Sequence, residues 1–365
     1  MKRLLIMTIL ISVMSPFMAL AADTEEEILD FDAEEKLTST SNLTSMWNDL
    51  SLQLYIDLIY EYREDLEESG FDSNHVLAYM KGDITGKLSF EIDLNFDYQY
   101  EIKYRLFPGG LLRAGKILVP FSDYPGHALF GGKIYDEPNG VIPNLFYDYG
   151  LALNYNLYDG DLLYTNVDVA VVNGFQELGS GFFYMDARGA PDNNHKKAVV
   201  FRLMNTLANR YQLTYSAYQD WWSNDGDRGF VMQAVDFKLG RGFLPVKGFD
   251  KLQITGGYLQ GQLESIDDSE NSHSGWFFDY ATKTAGCYAE LDYEVTDPLR
   301  LVLRGGMADP DTNYSEEGGD IIYSVSAYYK FEKSLELMVS YEFNNELDGP
   351  DIDDDRIFGR LRLKI

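Results

Sequence analysis

The sequence predicts an all-β fold, a transmembrane antiparallel β-barrel of about 16 strands, and three observations support that prediction. Apolar and polar side chains alternate over most of residues 50–365. The connections between the alternating runs are short at one end of the strands and long and polar at the other. Successive residues of a strand point to opposite faces, so alternation gives each strand one apolar face and one polar face. Short turns opposite long loops are typical of membrane barrels.

The third observation is the leader. Lys2 and Arg3 precede an apolar run over 4–20, and Ala19-Leu20-Ala21 follows the small-x-small pattern of a cleavage site. This pattern predicts a signal peptide at 1–21 that is removed on export. A retained membrane helix is the alternative, but the run is short and its flanks are those of a cleaved signal. No later run is long and apolar enough for a membrane helix.

The composition limits the class of partner. The chain carries 30 Lys+Arg and 59 Asp+Glu, a net charge of −29, and removal of the leader with its two basic residues takes this to −31. Such acidity argues against nucleic acid as a partner and favours cations as solutes or counterions. The 45% of hydrophobic residues argues against disorder. The single cysteine, Cys287, lies on an apolar strand face and is interpreted as a small apolar filler.

An acidic segment, 22–49, separates the leader from the alternating region. It lacks strand alternation, and its early part is rich in carboxylates at Glu25, Glu26, Glu27, Asp30, Asp32, Glu34 and Glu35. We expect a periplasmic tail or a short helix, or a plug within the barrel.

The longest alternating stretch, Lys87 to Arg105, is too long for one membrane strand of about 9–11 residues. A three-residue hairpin at Asn95-Phe96-Asp97 would divide it without disturbing the alternation, because an odd loop keeps the parity of its flanks. Dividing it there, with His75 to Lys81 as a separate strand, gives about 16 strands, and leaving it whole gives about 14. An even count is expected for bacterial barrels.

The remaining runs follow the same alternation. They cover 50–63, 145–156, 163–171, 199–203, 231–239, 290–295, 299–304, 321–331, 335–343 and 356–365. Short turns are predicted at 108–110, 159–160, 208–210, 297–298 and 332–334, and long loops at 64–74, 122–143, 176–196, 221–228, 262–275, 309–319 and 345–355.

The polar parity collects ionic side chains, which are tolerated in a barrel of this size only if the lumen holds water or opposite charges. The predicted pore-lining residues are Asp57, Glu61, Glu91, Asp93, Asp97, Glu101, Lys103, Arg105, Asp148, Asp168, Arg300, Arg304, Arg356, Arg360 and Arg362. The last strand is a basic ladder that ends at Lys364. Two interpretations stay open for it: a charged wall that orders solutes, or cross-strand ion pairs that only fill the wall.

The loop from Ser122 to Asn144 is the candidate constriction. It carries the charged or titratable residues Asp123, His127, Lys133, Asp136 and Glu137 among Pro and Gly bends, and apolar residues that could pack it on the inner wall. A surface loop is the alternative.

The segment Leu112-Arg113-Ala114-Gly115-Lys116-Ile117-Leu118-Val119-Pro120-Phe121 resembles a strand end of the phosphate-selective porins, where a Gly-containing strand runs into Pro-Phe-Gly. The chain as a whole resembles Gram-negative outer-membrane porins from Leu50 to Ile365. The resemblance implies a 16-stranded trimeric barrel with a loop folded into the pore, and it adds Arg113 to the pore lining. Ser122 stands where that family has Gly, its dense Arg/Lys array is only partly matched, and the net charge is negative. We therefore carry over the fold and the channel, and phosphate selectivity is the weaker alternative.

Two other chemistries are weighed. Asp309, Asp311, Asn313, Glu317 and Asp320 have the spacing of a calcium loop, but Tyr314 replaces the required Gly and no helices flank it. An acidic external loop, bridged by divalent cations to lipopolysaccharide, is the preferred interpretation. The four histidines do not combine with a nucleophile, so the chain is predicted not to be an enzyme and to need no cofactor.

The resulting hypothesis is a homotrimeric outer-membrane porin for passive diffusion of small hydrophilic solutes or ions, preferring cations. The alternative is a barrel that is not a channel: a structural or adhesive protein, or a sheath around a redox partner. Lumen occupancy discriminates between the two.

Overall fold

The computed structural model describes residues 50–63, 68–93, 99–122, 147–174, 176–178, 181–183, 196–221, 229–263, 283–309, 320–346 and 355–365. Sixteen of its strands form one closed antiparallel barrel in which neighbours in the chain are neighbours in the sheet. This confirms the count of 16 rather than 14. No helix in these described ranges is long and apolar enough to cross a bilayer.

The strands have the following bounds. They are β1 Ser51–Arg63, β2 Glu68–Asp83, β3 Leu88–Asp93, β4 Tyr100–Phe107, β5 Gly110–Leu118, β6 Tyr147–Asp159, β7 Leu163–Val172, β8 Gln176–Leu178, β9 Gly181–Phe183, β10 Ala198–Leu207, β11 Tyr211–Trp221, β12 Gly229–Leu239, β13 Leu252–Leu263, β14 Lys283–Thr296, β15 Leu299–Asp309, β16 Asp320–Glu332, β17 Leu335–Glu346 and β18 Arg356–Lys364. β8 and β9 form a separate two-stranded sheet within a connection that the sequence predicted as an irregular loop.

The barrel closes where the last strand meets the first. β18 pairs with β1 from Arg356 opposite Arg63 to Lys364 opposite Tyr55. Leu54 and Ile365 exchange two backbone hydrogen bonds of 3.0 and 2.9 Å at the end of this seam. Closure leaves neither strand with an unpaired edge, as a bilayer requires.

The long alternating stretch is two strands, as predicted. β3 and β4 pair antiparallel with Glu91 opposite Glu101 and Leu88 opposite Tyr104. This register is centred on residue 96, the middle of the predicted hairpin, although the hairpin residues themselves lie outside the described residues. Glu91 and Glu101 therefore share a face, as the odd-loop argument requires.

The predicted loop 64–74 was wrong in extent, because β2 begins at Glu68 and contains His75 to Lys81 within one longer strand. The pairing of β2 with β1 continues through the polar residues after Phe71, and a register shift between Asp57 and Ile59 accommodates them. Phe71 lies opposite Tyr60 with the ring centroids 5.2 Å apart. This aromatic pair explains why pairing persists beyond the alternating run.

The short-turn end of the barrel contains one long connection that the sequence did not predict, residues 240–251. It includes a 3-10 helix, Phe249–Lys251, and the rings of Phe243 and Phe249 pack 5.8 Å apart. The Tyr211 hydroxyl donates to the Phe243 carbonyl at 2.5 Å. The turns predicted at 108–110, 159–160, 208–210, 297–298 and 332–334 are present, whereas the short turn over 84–87, between β2 and β3, was not predicted.

The two faces of the wall differ in exposure as well as polarity. On β12, Val231, Val235 and Phe237 are exposed, whereas Met232 and Asp236 between them are buried. The same contrast runs around the sheet, so the apolar parity forms the outer surface and the charged parity faces the interior of the closed barrel. A membrane barrel requires this arrangement.

Gly115 in β5 is required by a close approach of strands. Its φ of +129° is strained for other residues, and a Cβ there would lie 2.3 Å from the Tyr100 carbonyl oxygen. Its partner across the next ladder is Gly150, where a Cβ would lie 2.2 Å from the Val171 carbonyl oxygen. The two facing glycines thus allow the four successive strands β4, β5, β6 and β7 to lie close together beside the predicted constriction.

Candidate functional site

The interior wall of β3–β5 holds a linked group of charges. Glu101, 2% exposed, accepts a hydrogen bond of 2.7 Å from Arg113 Nε and one of 2.7 Å from Gln99 Nε2. Lys103 lies between two carboxylates, 3.2 Å from Glu101 Oε1 and in contact with Glu91. Glu91 and Glu101 face each other across the ladder, so Lys103 reduces the repulsion between them.

The wall of β6, β7 and β10 carries a smaller group around Asp168. Arg202 Nε donates to Asp168 Oδ2 at 2.9 Å, and Asn154 Nδ2 donates to Asp168 Oδ1 at 2.7 Å. Asp168 is 2% exposed, whereas the Arg202 side chain is 24% exposed. The guanidinium therefore meets the lumen and the carboxylate stays behind it.

The wall from β14 to β1 is built of arginine–carboxylate pairs. Arg304 donates to Glu290 at 3.2 and 2.7 Å. Arg300 lies 3.5 Å from Asp292, and its guanidinium carbon is 4.3 Å from the centre of the Tyr328 ring. Pairing and stacking hold these side chains against the wall instead of letting them extend across the lumen.

The basic ladder of β18 is paired in the same way. Arg362 donates to both carboxylate oxygens of Asp57, at 2.7 and 2.6 Å, across the closing seam. Arg360 Nη2 donates to Glu336 at 3.2 Å, and Arg356 lies 3.9 Å from Glu342. Each pair joins β18 to a neighbouring strand, which is the cross-strand geometry of the second interpretation. A paired wall still presents dipoles to the lumen, so the first interpretation stays a proposal.

The chain leaves β5 toward the inside of the barrel. The Ser122 amide donates to Ser216 Oγ at 3.0 Å, and its hydroxyl donates to Asp236 Oδ1 at 2.9 Å. Ser216 and Asp236 lie on β11 and β12, which are separated from β5 by three and four strands of the wall. Residues 119–122 therefore run along the inner surface, where the sequence predicted the start of a constriction loop.

Apolar and hydroxyl contacts fix this inward segment, defined as residues 119–122. Phe121 packs edge-on against Tyr218 with the ring centroids 6.4 Å apart, and Val119 belongs to the same buried cluster. The Tyr288 hydroxyl donates to the Asp236 oxygen that Ser122 also contacts, at 2.8 Å. Ser122 has a φ of +61°, a value that turns the chain and that glycine adopts most easily.

Three buried carboxylates on this side accept hydrogen bonds from uncharged donors. Asp148 accepts from the amides of Tyr149 and Gly174, at 2.6 and 2.7 Å. Asp220 accepts from the Trp221 amide at 2.7 Å, and Asp236 accepts from the two hydroxyls named above.

Several of these residues escaped the sequence prediction. Asp220 lies at the end of a strand beside two aromatic residues, where the alternation is hard to read. Arg241 lies in the unpredicted connection, and its Nη2 is 2.9 Å from Glu294. Ser122, Ser216 and Tyr288 were missed as a group because their contact joins strands far apart in the chain.

The remaining predicted residues are placed as follows. Glu61 and Asp93 lie on the interior parity of β1 and β3, and Arg105 is exposed near the end of β4. Asp97, the five predicted constriction residues 123, 127, 133, 136 and 137, and positions 310–319 of the calcium-like loop lie outside the described residues. Among the residues that the structure does describe, no cluster of His, Cys, Asp or Glu could hold a metal ion.

The barrel matches solved outer-membrane channels along most of its length. The outer-membrane channel DcaP of Acinetobacter baumannii is 11% identical with a TM-score of 0.57, covering 87% of this chain and 97% of that one. The anion-selective porin from Comamonas acidovorans is 12% identical with a TM-score of 0.59, covering 87% and 99%. OmpF of Salmonella typhi, solved with daunomycin, is 13% identical with a TM-score of 0.60, covering 87% and 97%.

This chain has the porin fold. No protein-family model and no curated protein sequence matches it. Within the porin fold, the described start of the inward segment follows the fifth strand, in the place where the resemblance to porins implied a loop folded into the pore. Ser122 has a left-handed φ of +61°, the backbone conformation that glycine, which the phosphate-selective porins have at the matching position, adopts most easily.

Proposed function

We propose that this protein is an outer-membrane porin through which small hydrophilic solutes and ions diffuse passively, with a preference for cations. The observation that carries the proposal is the charged interior of a closed 16-stranded barrel whose outer face is apolar. Barrels of 16 strands are wide enough to enclose an aqueous channel. The porin fold supports this function, and we propose no enzymatic activity.

The cation preference rests on the interior charges. The arginines from β14 to β18 are matched by carboxylates, so that wall contributes little net charge. The net charge of the whole chain, −29, favours a lumen of negative potential. A lumen of net negative potential concentrates cations and depletes anions.

The inward segment supports a narrowed channel. It anchors the chain after β5 on β11 and β12, inside the barrel. We propose that residues 122–144, with Asp123, His127, Lys133, Asp136 and Glu137, form the constriction that solutes pass.

The proposal extends to the location and assembly of the protein. We propose export through a cleaved signal peptide at 1–21, an acidic periplasmic segment at 22–49, and insertion of 50–365 into the outer membrane of a Gram-negative bacterium. The apolar outer face fits lipid, and acidic external loops fit lipopolysaccharide bridged by divalent cations. A homotrimer is proposed by analogy with a trimeric Vibrio cholerae OmpT structure of the same fold.

The test is planar-bilayer conductance of the purified mature protein across a potassium chloride gradient. The expected result is stepwise channel insertion and a reversal potential whose sign shows that potassium permeates better than chloride. The absence of channels from correctly folded protein would overturn the channel function, and a chloride preference would overturn the cation preference.

A barrel that is not a channel is the second candidate, favoured by the depth at which interior charges are buried. Asp57, Asp168 and Arg360 are each no more than 2% exposed, and this burial is deeper than a wide, water-filled lumen would give. Conductance of a variant lacking 23–47 separates the candidates. If the wild type conducts no current and the variant does, the acidic segment closes the bore.

A further inference from the structure

Four glutamines interrupt the apolar outer surface on three neighbouring strands, and we call them the amide patch. They are Gln219 on β11, Gln233 on β12, and Gln260 and Gln262 on β13, and all four are exposed. Their alternation places them on the same face as Leu213, Val235 and Tyr258, which are exposed on the outer surface of these strands. Polar groups on a surface that faces lipid are costly, because lipid tails supply no hydrogen-bond partner.

The register of the strands brings these amides together. Gln233 lies directly opposite Gln260, and Gln260 Nε2 donates to Gln233 Oε1 at 3.4 Å. Gln219 and Gln262 lie on either side of Val231, each opposite to it across a ladder. A carboxamide has two N–H donors and a carbonyl acceptor, so the bond between Gln233 and Gln260 uses only part of what the two side chains can form.

The centre of the patch lies within the height of the membrane. Along β12, Gln233 stands between Val235 and Val231, both apolar and exposed. Phe237, exposed near the turn end of the strand, lies about 13 Å away along the chain at the usual rise per residue. With the tilt of barrel strands, Gln233 is about 10 Å above Phe237, inside an apolar band about 25 Å tall. Gln260, opposite Gln233, lies near the same depth.

Small side chains flank the central pair. Ala217 is opposite Gln233 on one side and Ala285 is opposite Gln260 on the other, so one row across four strands reads Ala, Gln, Gln, Ala. An alanine side chain is too short to cover the amides beside it. Small residues next to hydrogen-bonding ones are typical of surfaces where protein packs on protein in a membrane, since they let two backbones come close.

From this arrangement we infer that the amide patch is a contact surface for a second copy of this chain within the membrane. A carboxamide both donates and accepts, so the patch of one copy can hydrogen-bond to the same patch of another. Rotational symmetry brings equivalent surfaces together when its axis passes beside them. The inference deepens the proposed homotrimer by naming its contact surface, and it rests on the proposed outer-membrane location but not on conduction.

Lipopolysaccharide is the other molecule that could lie against this wall. Its phosphates are best bound by arginine and lysine, which carry a positive charge. The four side chains of the amide patch are uncharged. A second copy, which offers both amide donors and amide acceptors at the same depth, is therefore the better fit.

The test is the oligomeric state of the double variant Gln233→Leu with Gln260→Leu, purified in mild detergent and measured by analytical ultracentrifugation. Leucine has a similar size and suits lipid, but it cannot form hydrogen bonds. We expect the wild type to sediment as an oligomer. The dissociation constant of the double variant should be at least about tenfold higher, because hydrogen bonds between amides of different copies are lost.

Ile56→Leu with Val76→Leu is the matched control. These two residues face each other across β1 and β2 on the outer surface, 37% and 46% exposed, on the side of the barrel away from β12. The control should dissociate as the wild type does. Heat-dependent electrophoretic mobility confirms that each variant is a folded barrel.

Cross-linking in intact outer membranes gives a second measurement that leaves Gln233 and Gln260 unchanged. Cys287 is the only cysteine, so Gln262→Cys is made together with Cys287→Ala and treated with a bismaleimide. Leu58→Cys in the same background is the control, because Leu58 is 44% exposed on the outer surface of β1. We expect covalent dimers from Gln262→Cys and none from Leu58→Cys.

Three results would overturn the inference: a monomeric wild type, an oligomer equally stable in the wild type and the double variant, or cross-links no more frequent from Gln262→Cys than from Leu58→Cys. Loss of co-purifying lipopolysaccharide from the double variant, with the oligomer intact, would show that lipid covers the patch instead. None of these measurements depends on current through the barrel, so the contact surface and the channel function can fail separately.

Discussion

At the scale of single residues, burial decides what each interior ion pair contributes. Arg362 and Asp57 are 6% and 1% exposed and share two short hydrogen bonds. Arg241 also pairs closely with Glu294, at 2.9 Å, but their side chains are 36% and 43% exposed. Removing one member of a buried pair leaves the other charged and poorly solvated, whereas a partly exposed partner is screened by solvent.

Arg362→Met tests this difference. We expect the barrel to lose about 3–5 kcal/mol of unfolding free energy, because the Asp57 carboxylate stays buried without its guanidinium. The midpoint of urea unfolding, followed by heat-dependent electrophoretic mobility, measures the loss. Arg241→Met, whose partner Glu294 is exposed, should lower the midpoint much less, and the double variant Asp57→Leu with Arg362→Met should recover most of the stability. An equal loss in the two single variants would contradict the argument.

At the scale of elements, the inward segment is the feature that distinguishes β5 from its neighbours. The other described connections join adjacent strands, but this segment contacts β11 and β12 through Ser122. Its conformation depends on the positive φ of Ser122 and on two hydrogen bonds that Ser122 donates, one from its amide and one from its hydroxyl. Weakening these bonds should affect the channel more than the wall.

Ser122→Gly is the corresponding variant. Glycine keeps the left-handed backbone but removes the hydroxyl that donates to Asp236, so the segment should be held less firmly. We expect larger single-channel conductance with more current noise, and an unchanged unfolding midpoint. Ser340→Gly is the control, because it removes a hydroxyl from the Ser326–Ser340 pair on the other wall. Identical conductance in Ser122→Gly and the wild type would show that the segment does not control the aperture.

At the scale of the whole molecule, the sixteen strands separate two surfaces of opposite character. The outer surface exposes Leu52, Leu151, Leu213 and similar side chains, while the interior holds most of the charge that the strands carry. Closure between β1 and β18 is what separates lipid from water. The net potential of the enclosed space then depends on all interior charges together.

This collective potential should depend on salt. The screening length is about 10 Å at 0.1 M and about 3 Å at 1 M, so the interior carboxylates act across the lumen only at low ionic strength. We expect the ratio of potassium to chloride permeability to fall toward one as the salt on both sides rises at a fixed gradient. Reversal potentials recorded at several mean salt concentrations give this permeability ratio. A ratio independent of salt would point to steric selection instead of the charge of the lumen.

The strands and their number could be predicted because period-two alternation is a local property. Each residue of β3 and β4 indicates its own face, and the parity argument located the hairpin between them. The start of β2 was missed because pairing opposite Tyr60 outweighs the polar sequence after Phe71. The connection 240–251 was missed because its order depends on contacts with β11 and β14 rather than on a local pattern.

The charged residues of the site could be predicted from the sequence, but their pairing could not. The sequence identified Asp57, Arg362 and the other charges of the interior parity, because a charged residue among alternating apolar ones is visible in one dimension. It left open whether the ladder of β18 was paired. Pairing depends on which strand closes the sheet and in which register, and both are set by contacts between residues about 300 positions apart.

The amino-acid sequence alone predicted the class of this protein: a strand-built barrel with an apolar outside and a charged inside. These follow from alternation and composition, which do not require knowledge of distant neighbours. The tertiary structure was needed to show which charges neutralise one another and where the chain enters the interior after β5. Those features depend on distances between strands that meet only when the barrel closes, and the physical chemistry of the lumen follows from those distances.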